Sequence, residues 1–350
     1  ERLARADRRH AREAALFDAD PWALNTPGGV VDLRTGQMRP HRQSDLLTKV
    51  TAATPGGDCR LWRRFLIQIT RGDRAVIRYL QHWAGYLLTG ETREHAFLFA
   101  YGPGGNGKGV FINTFAAALG DYATTAPMET FMASPQAQHP TDLAGLRGAR
   151  LVVAQETDVG RHLAEARLKA LTGGDKISAR FMRGDFFEFT PAFKLVMVGN
   201  HRPVIRNPDD AMRRRLHLLP LTFKPQQPDP DLPARLREEL PGILAWAIEG
   251  CRMWQRDGLG MPQTVKDATA AYFSEQDLLA QWLAERCDTR SATAREASSA
   301  LYLDWKSWTE ARGESAGSNK GFSAALERHH AKEKDPATGR MMFVGLRLKP

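Results

Sequence analysis

Apolar residues recur at helical spacing between Leu61 and Leu88: Trp62, Phe65, Leu66 and Ile69, then Val76, Ile77, Leu80, Trp83 and Leu87. That i, i+3, i+4 rhythm predicts a helical region. The pattern changes at Ala96. From there the apolar residues come in short continuous runs: AFLFAYG at 96–102, ARLVVAQE at 149–156, FKLVMVGN at 193–200 and RRRLHLLPL at 213–221. Runs of this length, bounded by turn residues, predict buried strands. KGVFINTFAAAL, 108–119, predicts a helix after the first run. Strands alternating with helices predict an α/β fold, a mostly parallel sheet with helices on both faces.

The flanks read differently. Glu1–Ala15 alternates charged residues with Ala and Leu and predicts a helix. DPWALNTPGGVVDLRTGQMRPHR, 20–42, carries the turn residues of a small hairpin. PQQPDPDLP, 225–233, is a proline-rich break before a helical stretch at 234–258. The tail predicts helices at 294–313 and 319–330 and then a hairpin at 332–349, the order of a winged helix. The expected division is a mainly helical N-terminal domain at 1–92, an α/β core at 93–225, a helical region at 226–288 and a winged-helix domain at 289–350.

The chain has 350 residues, 42% apolar and 25% charged, enough for two or three domains. It contains no apolar run long enough for a membrane span. Its charged start excludes a signal peptide there, and it opens on Glu1 rather than Met, so a piece of a longer protein is expected. The three cysteines, Cys59, Cys251 and Cys287, have no paired spacing. That argues against a disulfide framework or a zinc site and for a reducing, cytoplasmic compartment. A net charge of +9 suits a polyanionic partner but does not by itself identify one.

The candidate chemistry begins at YGPGGNGKGV, 101–110. Gly102, Gly104, Gly105, Asn106, Gly107, Lys108, Gly109 and Val110 have the spacing of a phosphate-binding loop between a strand and a helix. Glycines let backbone N–H groups turn toward phosphate oxygens, and the following helix points its positive end at the same anion. Lys108 would neutralise the β and γ phosphates. The alternative is a glycine turn that binds nothing. The second strand ends in LVVAQETD, where nucleotide hydrolases often carry acids. Gln155 stands where a first acid often sits. Glu156 is the candidate catalytic carboxylate, and Asp158 is a second candidate for magnesium, each through water; solvated acids are the plain alternative. Asn200, at the tip of the third strand, could contact a γ-phosphate or orient water, or could simply form a turn. Arg213, Arg214 and Arg215 form a basic cluster that could serve a neighbouring subunit or pair with Asp209 and Asp210. KALTGGDKISARFMRGDFFEF, 169–189, predicts a hairpin whose Lys176, Arg180 and Arg183 could touch a phosphate backbone.

Taken in this order, loop, acid strand, LTGGDKISAR hairpin, strand-end Asn200 and arginine cluster, the chain resembles the superfamily 3 helicases, and more narrowly the helicase part of phage and plasmid primase-helicases of the poxvirus type. DPWALNTPGGVVDLRTG is similar to the region that precedes the ATPase in that family. ALYLDWKSWTEARGE through GRMMFVGLRL is similar to its C-terminal winged helix. The resemblance implies an AAA+-type P-loop core assembled as a homo-oligomer, a hexameric ring around single-stranded DNA at a replication fork. It implies ATP and Mg2+ as cofactors. It makes Lys108 the phosphate lysine, Glu156 the Walker B acid, Asn200 the sensor, and Arg214 or Arg215 the arginine finger. It implies DNA contact by Lys176, Arg180 and Arg183. It also implies a primase or primase-polymerase region upstream, and a bacterial host cytoplasm if the gene is phage- or plasmid-borne. On the winged helix, Lys320 and Arg328 fall on the expected recognition helix, with Lys332, Lys334 and Arg340 on or near the wing.

Gly109 departs from the usual Ser or Thr whose hydroxyl holds magnesium. Glycine after the lysine also occurs within that branch of the family. With Gln155 in the acid position as well, the resemblance implies a metal held mainly by phosphate and water. Two rival functions remain open from sequence: an ATP-binding DNA scaffold with little hydrolysis, and a non-replicative AAA+ remodelling NTPase.

Overall fold

A computed structural model describes residues 12–134, 141–155, 161–205 and 209–349. The chain groups into two compact units, Glu1–Ala270 and Ala271–Pro350, with the division inside the helix Gln263–Gln276. The helix expected over Glu1–Ala15 falls mostly outside the described residues; at its end Ala14–Leu16 form a single 3-10 turn.

The first unit opens with three strands, β1 (Ala23–Thr26), β2 (Gly29–Asp32) and β3 (Gln37–Arg39), in one antiparallel sheet. Two helices follow, α1 (Arg60–Ile69) and α2 (Arg74–Leu88). The expected short runs are strands: β4 (Phe97–Tyr101), β5 (Ala123–Thr125), β6 (Leu151–Gln155), β9 (Lys194–Gly199) and β10 (Leu216–Pro220). They make one parallel sheet in the order β10-β4-β9-β6-β5. Helix α3 (Lys108–Leu119) follows β4, and α4 (Glu165–Gly173) precedes a two-stranded hairpin of β7 (Ile177–Ala179) and β8 (Phe187–Phe189). After β10 come α5 (Leu232–Glu238) and α6 (Leu240–Asp257).

The sheet is buried on both faces, as a parallel sheet requires. Leu98, Ala100, Leu151, Val153, Val196, Val198 and Leu219 share one core with α1, α2, α3 and α6, while Phe97, Phe99, Leu195 and Met197 are buried as well. Residues 12–92 therefore do not stand apart as a helical domain. Trp62 stacks on Phe111 of α3, with ring centroids 5.5 Å apart, so the helical segment and the sheet region fold around the same apolar residues. The first turn of α1 is capped from far along the chain: the Glu239 carboxylate accepts from Leu61 N at 2.9 Å and from Trp62 N at 2.8 Å.

The second unit contains α7 (Leu278–Arg286), α8 (Ser298–Glu310), α9 (Asn319–Leu326) and a three-stranded antiparallel sheet, Arg295–Ala297 against Met341–Val344 against Lys332–Lys334. The helix expected from Ala294 begins only at Ser298, because Arg295–Ala297 pair with Val344–Met342. Trp282, Trp305, Trp308 and Phe322 form its core.

Helices α2 and α6 cross without room for a side chain between them. A Cβ on Gly85 would lie 2.0 Å from the Cys251 amide nitrogen, and one on Gly250 would lie 2.1 Å from the Gln81 carbonyl. Gly85→Ala is expected to lower unfolding free energy by about 1–3 kcal/mol, as for other overpacked cores, read as a shift in the urea midpoint at unchanged slope. Beneath this crossing His217 of β10 is 5% exposed, with its Nδ1 2.7 Å from the Tyr79 hydroxyl. Burial pushes its imidazole down from 6.5 to about 4. The unfolded chain binds that proton in the window between these values and the folded chain does not. Stability is therefore present above 6.5 and lost as pH falls toward 4, by at most about 3 kcal/mol. His217→Gln should flatten this stretch of the stability-versus-pH curve.

Candidate nucleotide site and nucleic-acid surfaces

Parallel strands deliver their ends to a common edge, and that edge is where ligands of open α/β sheets sit. Here it gathers Gly102 after β4, Gln155 at the end of β6, Asn200 after β9 and Leu221 after β10. The loop between β4 and α3 is tight at two of its glycines, Gly102 and Gly107. A Cβ on Gly102 would lie 2.0 Å from the Leu221 carbonyl oxygen. Gly107, at φ 88°, caps α3 and packs against α1, where a Cβ would meet Ile69 Cγ2 at 2.6 Å. Gly104 and Gly109 have no such constraint.

Lys108 is 5% exposed. Its ammonium donates to the Gly102 carbonyl at 2.6 Å, the Pro103 carbonyl at 3.1 Å and Asn106 Oδ1 at 3.0 Å, and approaches Asn200 Oδ1 at 3.5 Å. Burial pulls its pKa below the ordinary lysine value. A cation held by carbonyl oxygens in the mouth of a glycine loop fits an anionic ligand: phosphate oxygens can take the places the carbonyls hold. Asn106, 1% exposed, works inside the loop rather than on its surface. Its Nδ2 donates to the Leu221 carbonyl, and its Oδ1 accepts from both the Lys108 amide, at 3.3 Å, and ammonium.

The structure thus brings Lys108, the loop glycines, Asn106 and Asn200 together. Glu156 and Asp158 lie outside the described residues. Beside them Gln155 Nε2 donates to Asn113 Oδ1 at 3.1 Å. Asn113 stands one turn after Gly109 on α3, and its Nδ2 lies 4.0 Å from where a Cβ of Gly109 would be. Two neutral carboxamides therefore border the place where a hydroxyl and an acid are usual. Asn113 went unnoticed in the sequence; its spacing from Gly109 was the available signal. No cluster of three or more His, Cys, Asp or Glu side chains able to hold a metal occurs among the described residues.

The arginine cluster is on the other edge of the sheet. Leu216 pairs with Phe97 and Pro220 with Tyr101, so Arg214 and Arg215 precede β10 at the end remote from the loop. Arg215 is half-buried and donates to the Ala211 carbonyl at 3.0 Å, whereas Arg214 is exposed. The β7–β8 hairpin enters β9 from this same remote edge. Lys176 is exposed just before it, Arg183 sits in its turn at φ 60°, and the Arg180 guanidinium lies 4.9 Å from the Phe186 ring. The sequence reading stressed these cations and overlooked the apolar tip, where Phe181, Met182 and Phe186 are 53%, 76% and 60% exposed.

In the second unit Lys320 is exposed on α9 and Arg340 is exposed in the turn before Met341–Val344. Arg328 is not on that helix, which ends at Leu326; it is exposed two residues beyond. Lys332 is also less available than its position suggested, because its ammonium donates to Ser323 Oγ at 2.6 Å and to Glu327 at 3.0 Å. Among the described residues no helix is long and apolar enough to cross a membrane.

Residues 1–71 match the D5 N terminal like family, and residues 100–215 match a family of unknown function, DUF5906. Among curated proteins the chain is similar to "Putative helicase L207/L206" of Acanthamoeba polyphaga mimivirus, 25% identical over 77% of this chain and 31% of that protein. Proteins 022R of Frog virus 3 and 121R of Invertebrate iridescent virus 3 carry the same designation. They are 28% and 25% identical over 67% and 84% of this chain, and 27% and 35% of their own lengths. The chain therefore spans about a third of the length of the curated relatives it matches. The solved apo structure of the NrS-1 C-terminal region matches over 94% of this chain and 83% of that one, at a TM-score of 0.55 and 11% identity, a likeness of fold.

Asn106→Ala tests the loop itself. It would leave the buried Leu221 carbonyl and the Lys108 ammonium each short of a partner. A loss of about 1–3 kcal/mol in unfolding free energy is expected without any ligand, measured by denaturant titration.

Proposed function

We propose that this chain is the ATP-driven motor of a DNA helicase in a replication protein, working as a homo-oligomeric ring, a hexamer by family resemblance, that moves on single-stranded DNA. The observation that carries the reading is the meeting of Lys108 and Asn200 at the loop, 3.5 Å apart, on the sheet edge where a nucleotide would sit. The viral relatives designated as helicases support it. The core would be AAA+-type, and the second unit, helices followed by a hairpin, would be a winged helix.

ATP fits the loop through Lys108 and the backbone N–H groups of 104–109, and binding would draw Lys108 from the carbonyls of Gly102 and Pro103 onto phosphate oxygens. Asn200 would orient the attacking water. Glu156 would polarise that water, with Asp158 nearby. Mg2+ fits only a shell made largely of phosphate and water, since Gly109 has no hydroxyl and Gln155 and Asn113 offer neutral amides. When bound it would spread charge over the β and γ phosphates. Arg214 cannot reach the loop of its own subunit: the length of β10 separates them by about 16 Å. It would serve the neighbouring subunit. Lys176, Arg180 and Arg183 would track the DNA backbone, with Phe181 and Phe186 offering faces for bases. Lys320, Arg328 and Arg340 would give the second unit its DNA contacts. A primase or primase-polymerase region upstream belongs to the same proposal.

A second reading is an ATP-binding scaffold with little hydrolysis. The Gln155–Asn113 amide pair is what favours it. Steady-state ATP hydrolysis with and without single-stranded DNA decides between them. The motor reading expects a DNA-stimulated rate that Glu156→Gln abolishes. No appreciable hydrolysis with or without DNA, with ATP binding intact, would sink it in favour of the scaffold. Arg214→Ala should cost about a thousandfold in kcat. Mixing that variant with Lys108→Ala subunits should restore part of the rate, which an arginine acting within its own subunit would not allow.

A further inference from the structure

At Gly109 the first turn of α3 has open space. A Cβ there would have one neighbour within 4 Å, the Asn113 Nδ2 at 4.0 Å. An oxygen one bond beyond that Cβ, where a serine hydroxyl would stand, comes within hydrogen-bond reach of this amide. Gln155 of β6 sets the direction of the amide, because its Nε2 donates to Asn113 Oδ1 at 3.1 Å. With its oxygen engaged, Asn113 turns its nitrogen toward Gly109, and among the described residues that nitrogen has no acceptor. Both side chains are exposed.

This polarity is wrong for a cation. Magnesium takes oxygen ligands, and in this space it would face the positive end of an N–H dipole. The polarity is right for a phosphate oxygen. The rest of the edge carries positive charge as well. Lys108 is buried in the loop, and Lys224 Cε lies 3.8 Å from where a Cβ of Gly105 would stand. The Arg202 guanidinium is 5.9 Å from the ring of Tyr101, the last residue of β4. These cations, the N-terminus of α3 and the Asn113 amide supply the kind of attraction that a metal ion would otherwise bring to a triphosphate.

We propose that the loop takes nucleoside triphosphate without a divalent cation, Asn113 donating to a phosphate oxygen in the space that Gly109 leaves open. The inference rests on the phosphate-loop reading and divides its two steps: hydrolysis needs the metal, and binding does not. Glycine at 109 is then a requirement of the site, since a hydroxyl there would compete with the phosphate oxygen for the amide.

The test uses the whole chain and a ribose-labelled fluorescent ATP analogue, displaced by unlabelled ATP in excess EDTA and again in Mg2+. Wild-type affinities in the two conditions are expected to agree within about threefold. Asn113→Ala should weaken binding in EDTA about tenfold, the loss of one hydrogen bond to a charged group. Asn113→Asp places a carboxylate where the donor stood, so its binding should be weak in EDTA and recover in Mg2+. Asn113 is on the surface, and a thermal melt of each variant checks that the fold is intact. Wild-type affinity that falls by about tenfold or more in EDTA, or Asn113→Ala binding in EDTA as the wild type does, would overturn the inference and leave the loop standing. Absence of wild-type binding in both conditions would overturn the phosphate-loop reading and the inference with it.

Discussion

All strands of the central sheet run in one direction, and the rest of the molecule follows from that polarity. A parallel sheet has two unlike edges. One collects the carboxyl ends of the strands, where Gly102, Gln155, Asn200 and Leu221 converge although they are scattered over the sequence. The other collects the amino ends, where the arginine cluster and the β7–β8 hairpin stand. The glycine loop with its buried Lys108 and the exposed cations are thereby kept apart.

Buried cations mark both edges, and each is satisfied by carbonyl oxygens rather than by acids. At the carboxyl edge Lys108 is held by Gly102 and Pro103. At the amino edge Arg150 donates to the carbonyls of Leu88, at 2.6 Å, and Ala23, at 2.7 Å, while Lys194 donates to the Thr89 carbonyl. The Arg150 guanidinium also lies 4.5 Å from the Tyr122 ring. All three are nearly inaccessible, at 5%, 4% and 2% for Lys108, Arg150 and Lys194, and what differs is what they join. Arg150 and Lys194 are closed in by β1 and the end of α2, so they fasten the N-terminal segment to the sheet. Lys108 instead closes the glycine loop on itself, through the carbonyls of Gly102 and Pro103 and the side chain of Asn106.

The sheet strands were legible because continuous apolar runs bounded by turns leave few other solutions, and β4, β6, β9 and β10 fall inside the runs read from the sequence. Their order was not: that β9 lies between β4 and β6, and so brings Asn200 beside the loop, was decided by the assembled sheet. The domain division was not. Helical spacing in α1 and α2 says that each has an apolar face, but not what covers it. Phe65 turned out to pack under Gly107 of the glycine loop, and Trp62 against Phe111 of α3. Similarly, Arg295–Ala297 read as the start of a helix until a partner strand, Met341–Val344, drew it into a sheet.

What the sequence determined by itself was local: periodicity, the glycine loop, the order of polar strand ends, the excess of positive charge. These are properties of short stretches, set by side-chain spacing and backbone freedom. What only the tertiary structure decided was every relation between distant stretches. Glu239 caps a helix that begins at Arg60, Asn106 holds the carbonyl of Leu221, and Asn113 meets Gln155 across the space left by Gly109. The reason is physical. Hydrogen bonds and close packing depend on positions fixed only once the sheet is assembled, and no pattern along the chain records which carbonyl a buried amide will find.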